Sequence, residues 1–199
     1  MTKKGLEQQV IFFEAITRGR FARDRIVIMV NSPRDLEICL ELGLSRSFVC
    51  NNNCWLDFDL FNIREGSPKN FDMVINCRPE KNFKRPYLAM DIENLAVIQG
   101  AQVRPHDFWD LEQLAPKYMN RDGRIGPSEV IDILNQSWAG GIFSASEGAC
   151  YASSEYLLCG LPVISTPSEG GRDFWYNDDN SIIVEPDARA IKEAASLEK

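Results

Sequence analysis

Two glutamates, Glu147 and Glu155, stand within Ser144–Thr166, a stretch that reads SASEGACYASSEYLLCGLPVIST. On a helix turning about 100° per residue, the eight steps between them return close to the starting direction. Both carboxylates can then face one cleft, where a carboxylate pair suits hydrogen bonds to sugar hydroxyls. Gly148 and Ala149 come at the expected helix start, where backbone N–H groups lack intrahelical partners. Those groups and the helix dipole favour an anion such as a diphosphate. Two glutamates at this spacing also occur on ordinary surface helices, so the spacing alone is weak and the residues after Glu155 sharpen it. Cys159-Gly160-Leu161-Pro162 closes the helix and leads into a buried strand ending at Thr166. Ser168-Glu169-Gly170-Gly171 then supplies a second glycine loop at the strand's end.

The elements that must position these residues alternate along the chain. Leu6, Val10, Phe13 and Ile16 have helical spacing over residues 5–20. A short apolar run at 26–30 predicts a buried strand. Ser32 as N-cap and Pro33 at the first position open a helix that runs to Gly43. A strand at 48–50 precedes a polar, turn-rich connection over 51–70. Beyond it, strands are expected at 72–76, 95–98, 118–120, 141–144, 161–166 and 181–184. Helical segments are expected at 87–90, 107–114, 127–136, 149–158 and 187–195, with Trp109 and Trp138 as core residues of helical stretches. This alternation indicates an α/β fold, a Rossmann-like parallel sheet with helices on both faces over residues 70–199. A partial α/β unit and linker precede it over residues 1–69. Ligands of such sheets bind beyond the carboxyl ends of the strands.

Composition excludes several classes. The 199 residues carry a net charge of −7, against a general nucleic-acid binder that needs a basic face. No apolar run is long enough to span a membrane, and the start has no signal-peptide pattern. A cytoplasmic location is expected, compatible with peripheral attachment to a membrane. The six cysteines form no C-x-x-C pair, and reduced thiols are expected. A zinc site would need Cys50 and Cys54 plus distant partners. A single histidine, His106, and the lack of G-x-S-x-G count against a Ser-His-Asp or Cys-His hydrolase. His106 could border a base pocket or stand in a surface loop. Asp57 and Asp59 form a D-x-D pair in a linker context, without the apolar strand that precedes a metal motif.

The longer pattern S-x-x-E-G-x6-E-x3-C-G-x-P-V-I-S-T-x3-G-G, Ser144 to Gly171, resembles the donor-binding half of the retaining glycosyltransferases of the GT-B fold, the group 1 or family 4 type. The likeness extends upstream, where Asp72–Arg78 resembles the family's first donor-domain strand, ending in an arginine. Lys84 stands in the next loop, with Lys81 and Arg85 as competing candidates. The resemblance covers roughly residues 45–195 and makes residues 1–44 the tail of an acceptor-binding domain. It implies that Glu155 bonds the ribose hydroxyls of a nucleotide and Glu147 those of the transferred sugar. It further implies that Arg78 and Lys84 neutralise the leaving diphosphate, and that Gly148, Ala149, Cys150, Gly170 and Gly171 border the donor. The implied donor is a UDP-, GDP- or ADP-sugar, and the acceptor is a glycan, lipid or small molecule. No cofactor or metal is implied, because cationic side chains do that work. The chain departs from the pattern where Arg172 and Asp173 come after Gly171; Arg172 can contact phosphate or pair with Asp173. An alternative is a non-catalytic nucleotide-binding module lacking an acceptor domain. A dinucleotide-dependent enzyme is disfavoured, since no strand leads into a G-x-G-x-x-G turn.

Overall fold

The computed structural model describes residues 3–17, 23–78, 81–100 and 109–197. A small first unit contains α1 (Lys3–Ile16), β1 (Ile28–Val30), α2 (Pro33–Glu41) and β2 (Ser47–Val49). β1 and β2 pair in parallel, with Ile28 opposite Ser47. α2 starts as its sequence dictates: Ser32 is extended, its Oγ accepts from the Asp35 N–H at 3.2 Å, and Pro33 fills the first turn. Gly43, at φ +76°, ends it. Leu6, Val10, Val30, Cys39 and Leu44 form this unit's core. Of the four-residue stripe expected on α1, Phe13 and Ile16 are exposed instead. A sheet of two short strands is too narrow to cover the whole helix.

The larger unit is a six-stranded sheet of β3 (Phe71–Cys77), β4 (Leu95–Gln99), β5 (Tyr118–Met119), β6 (Ser137–Ile142), β7 (Val163–Ser165) and β8 (Ser181–Ile183). Every pairing is parallel, in the order β5-β4-β3-β6-β7-β8. The expected Rossmann-like α/β architecture is what forms. The chain starts at the centre, runs outward through β4 and β5, and returns to the other side of β3 as β6. β3 and β6 therefore flank the switch point where such sheets open a crevice.

Helices α3 (Lys81–Lys84), α4 (Pro127–Asn135), α5 (Tyr151–Leu158) and α6 (Ala188–Leu197) connect or extend the strands. Met73, Ile75, Leu95 and Val97 face one layer, with Ile191 and Ala194 of α6. Val74, Ala96 and Ile98 face the other, with Ile131 and Leu134 of α4 and Tyr156 of α5. Alternate residues thus point to opposite faces, and both faces are dry, as a parallel sheet requires.

Three expectations are corrected. β6 begins at Ser137, so Trp138 lies on a strand and not in a helix. Gly140 and Gly141 lie within this strand: a Cβ on Gly140 would sit 2.0 Å from Cδ2 of Tyr156, and one on Gly141 2.7 Å from Cζ of Phe143. The glycines let α5 and neighbouring side chains close onto the strand. Of the helix expected over 107–114, the described residues 109–114 form only a 3-10 turn at Leu111–Leu114, and Trp109 before it is half-buried. His106 lies outside the described residues. α5 begins at Tyr151, not 149, with Cys150 as its cap.

The linker is stapled down. Asn51 Nδ2 donates to the Gly171 carbonyl at 3.0 Å, and Asn53 Nδ2 donates to the Cys150 carbonyl at 3.0 Å and to Ser154 Oγ at 2.6 Å. Further on, Asn135 of α4 accepts from the Arg64 N–H and donates to the Asn62 carbonyl.

Candidate functional site

A cleft of about 500 Å³ opens at the carboxyl ends of β3 and β6. Asn76, Cys77 and Arg78 from the end of β3 form one border, with Gly100 after β4 beside them. Phe83 and Lys84 of α3, Glu147, Ala149 and Cys150 of the loop after β6, and Tyr151 and Glu155 of α5 complete it. The structure thus brings Arg78, Lys84, Glu147, Ala149, Cys150 and Glu155 into one place.

The two glutamates share the cleft, though not through helical periodicity. Glu147 lies ahead of α5, in an extended segment whose N–H donates to the Glu169 carbonyl at 2.8 Å. Its Oε1 accepts from Lys84 Nζ at 2.6 Å, while its Oε2 is buried with no partner among the described residues. Glu155 projects from the middle of α5. Burial raises its carboxyl above the ordinary range, and the Asn76 side-chain amide, 3.5 Å from Oε2, opposes that rise. The Cys150 thiol is pushed up to about 11, chiefly by burial and then by the Glu147 charge. It therefore stays protonated and is no nucleophile.

Arg78 is exposed and has no ion-pair partner among the described residues. The stem of Arg78 packs against Gly100, where a Cβ would meet its Cγ at 3.2 Å. Among the described residues, none accepts a hydrogen bond from the backbone N–H of Gly148, Ala149 or Cys150. These donors sit at the positive end of α5. The cleft thus offers two cations and a run of free N–H groups for an anion, and two carboxylates for hydroxyls. Asn76 is a site residue that the sequence pattern does not single out. An amide among the apolar residues of Asp72–Cys77, at a strand's carboxyl end, is the signal that could have marked it.

No family model matches the chain, and no curated protein sequence matches it. Solved structures do. Sucrose-phosphate synthase from Thermosynechococcus elongatus superposes with a TM-score of 0.66 at 16% identity, over 86% of this chain and 48% of the synthase. Anabaena HepE, solved with UDP-glucose, gives 0.64 at 16% identity, over 90% of this chain and 54% of HepE. The C-terminal domain of the group 1 glycosyl transferase LpcC from Francisella tularensis gives 0.52 at 15% identity, over 71% of this chain and 86% of that domain. The larger unit shares its fold with these glycosyltransferase structures. The chain spans about half the length of the two full enzymes.

Other candidates lie behind the cleft. Gly170 and Gly171 do not line it. A Cβ on Gly170 would stand 2.2 Å from the Glu147 carbonyl oxygen, and one on Gly171 2.1 Å from that of Asn31. Gly170, at φ +111°, also needs a backbone that side chains disfavour. The two glycines let the β7 loop press against the Glu147 segment, backbone on backbone. Arg172 is fully buried. It donates to Asp173 Oδ1 at 2.6 Å, to the Ser144 carbonyl at 2.6 Å and to the Thr166 carbonyl at 2.5 Å. Of its two readings, pairing with Asp173 is the one that forms. Arg85 donates to the Phe143 carbonyl and Thr166 Oγ1, while Lys84 lines the cleft; the side chain of Lys81 lies outside the described residues. Asp57 caps a turn through the Asp59 and Leu60 N–H groups. Among the described residues, no cluster of acidic, histidine or cysteine side chains is placed to hold a metal, and no helix is long and apolar enough to cross a membrane.

Proposed function

We propose that this chain binds the nucleotide-sugar donor of a retaining glycosyltransferase and supplies mainly the donor half of that enzyme. In this reading Glu155 accepts hydrogen bonds from the ribose hydroxyls and the free Oε2 of Glu147 accepts from the sugar. Arg78, Lys84 and the N–H groups of Gly148, Ala149 and Cys150 hold the diphosphate. The complete system forms a bond from the acceptor oxygen to the anomeric carbon as the carbon–phosphate-oxygen bond breaks. The departing diphosphate takes the acceptor's proton. Arg78 and Lys84 stabilise the charge that develops on it, so no metal is required; each such contact lowers the barrier by about 3 kcal/mol.

One observation carries the proposal. At the switch point of the sheet, cations and free N–H groups meet two carboxylates, one of them with a buried, unpartnered oxygen. The GT-B half-fold and the donor bound to HepE support it. The test is calorimetric titration of the folded chain with UDP, GDP and ADP, repeated on Glu155→Ala. Binding of one nucleotide that weakens in the variant identifies the base. Failure to bind any of the three overturns the reading.

A further inference from the structure

Cys50 and Cys54 bracket the triple asparagine that ties the two units together. Their sulfurs lie 3.5 Å apart, with Cys54 exposed and Cys50 half-buried. Cys39, Cys150 and Cys159 are buried and Cys77 is half-buried, and Cys50 and Cys54 are the thiols in contact with one another among the described residues. The Cys50 N–H is fixed to the Val30 carbonyl at 2.8 Å, and the Cys54 N–H to the Asn51 carbonyl at 3.0 Å. Between them, the Asn52 N–H donates to Asn31 Oδ1, Asn51 holds Gly171, and Asn53 holds Cys150 and Ser154. The intervening residues grip the residue after β1, the loop after β7 and the start of α5.

We propose that Cys50 and Cys54 form a reversible dithiol–disulfide site that exchanges with small disulfides of the glutathione class and resets the grip of Asn53 on α5. The inference stands independently of the donor reading. The Cys54 thiolate attacks one sulfur of glutathione disulfide, forming a mixed disulfide and releasing one glutathione thiolate. The Cys50 thiolate then attacks the Cys54 sulfur, closing the intramolecular bond and releasing the second glutathione. The protein loses two electrons and two protons, and the glutathione disulfide gains both as two thiols. The Cys54 thiol is held above its ordinary value by desolvation and by its hydrogen bond with Cys50, so closure speeds up with rising pH. A disulfide bond is about 2.05 Å long, so the sulfurs must approach by roughly 1.5 Å. Asn53 lies in the turn that this closure tightens, and we place the resulting strain on its 2.6 and 3.0 Å bonds to the start of α5.

The test equilibrates the chain in buffers of increasing oxidised-to-reduced glutathione ratio, alkylates it and digests it with trypsin. Cleavage at Arg46 and Arg64 releases peptide 47–64, which holds Cys50 and Cys54 and no other cysteine. The expected peptide is unalkylated and two hydrogens lighter, at ratios where Cys50→Ser and Cys54→Ser carry bound glutathione instead. Amide exchange over 150–158 should rise in the oxidised chain and recover with dithiothreitol. A peptide alkylated at both positions throughout, or a mixed disulfide that never closes, overturns the proposal. So does a closed disulfide with unchanged exchange over 150–158.

Discussion

Lys84 Nζ stands 2.6 Å from Glu147 Oε1, and both side chains are largely shielded from water, at 18% and 15% exposure. Desolvated ions hold one another in place, and removing one strands the other. Lys84→Met is expected to destabilise the fold by about 2–3 kcal/mol, read as a fall in the urea midpoint. Adding Glu147→Leu should recover most of that loss, since no charge is then left unpaired. Nucleotide affinity should fall about tenfold or more in Lys84→Met and stay low in the double variant. Recovery of affinity along with stability would rule out a ligand contact for Lys84.

Glu155 makes the opposite prediction for stability. Its carboxyl is raised by burial, so between the ordinary value of 4.5 and its raised value the folded chain holds the proton more tightly than the unfolded chain. This group's contribution to stability therefore rises as pH falls through that window, and its full cost stands above it. Glu155→Gln is expected to raise the urea midpoint at pH 7 and flatten that part of the pH profile. Nucleotide affinity should drop, because an amide accepts hydrogen bonds from ribose hydroxyls less strongly than a carboxylate does. In the unaltered chain, affinity should weaken on acidification earlier than an ordinary carboxylate would allow. Calorimetry across pH 5–8 and urea titration of both proteins test the pair of effects.

The fold is legible in the sequence where apolar runs and caps obey simple rules. Ser32-Pro33, Gly126-Pro127 and Gly160 mark helix ends, and β3, β4 and β7 announce themselves as apolar runs. Sequence reasoning fails where one residue serves a distant neighbour. Nothing in the local pattern shows that Gly140 must be glycine, because the Tyr156 ring that excludes a side chain there comes from helix α5. Asn51 and Asn53 look like loop filler, yet they bond to residues about a hundred positions away. Helical spacing pairs Glu147 with Glu155 for the wrong reason: the loop after β6 and helix α5 converge on the switch point by topology instead.

Gly140 gives a sharp steric prediction. An added methyl would overlap the Tyr156 ring, 2.0 Å from Cδ2, and the ring cannot retreat because its hydroxyl accepts from the Asn76 N–H at 2.6 Å. Gly140→Ala is expected to cost about 3 kcal/mol, the upper end for overpacking a core. Gly43→Ala is the control: φ is +76° there, with nothing within 4 Å of the new Cβ. It should cost only about 1 kcal/mol of backbone strain. Thermal melts of the two variants separate packing from conformation.

Arg172 distinguishes a clamp from a phosphate ligand. Its guanidinium ties Ser144 after β6 to Thr166 after β7 while pairing with Asp173, and none of the side chain is exposed. A lysine retains the charge but not the planar fork that serves three acceptors at once. Arg172→Lys is therefore expected to destabilise the chain by about 2 kcal/mol, and Arg172→Met by about 3–5 kcal/mol, because the latter leaves Asp173 without its counter-charge. Below the unfolding range, the folded fraction of Arg172→Lys should bind nucleotide with unchanged affinity. A phosphate contact would give the reverse: a stable Arg172→Lys protein with weakened binding. Measuring the urea midpoint and calorimetric affinity on the same preparation separates the two.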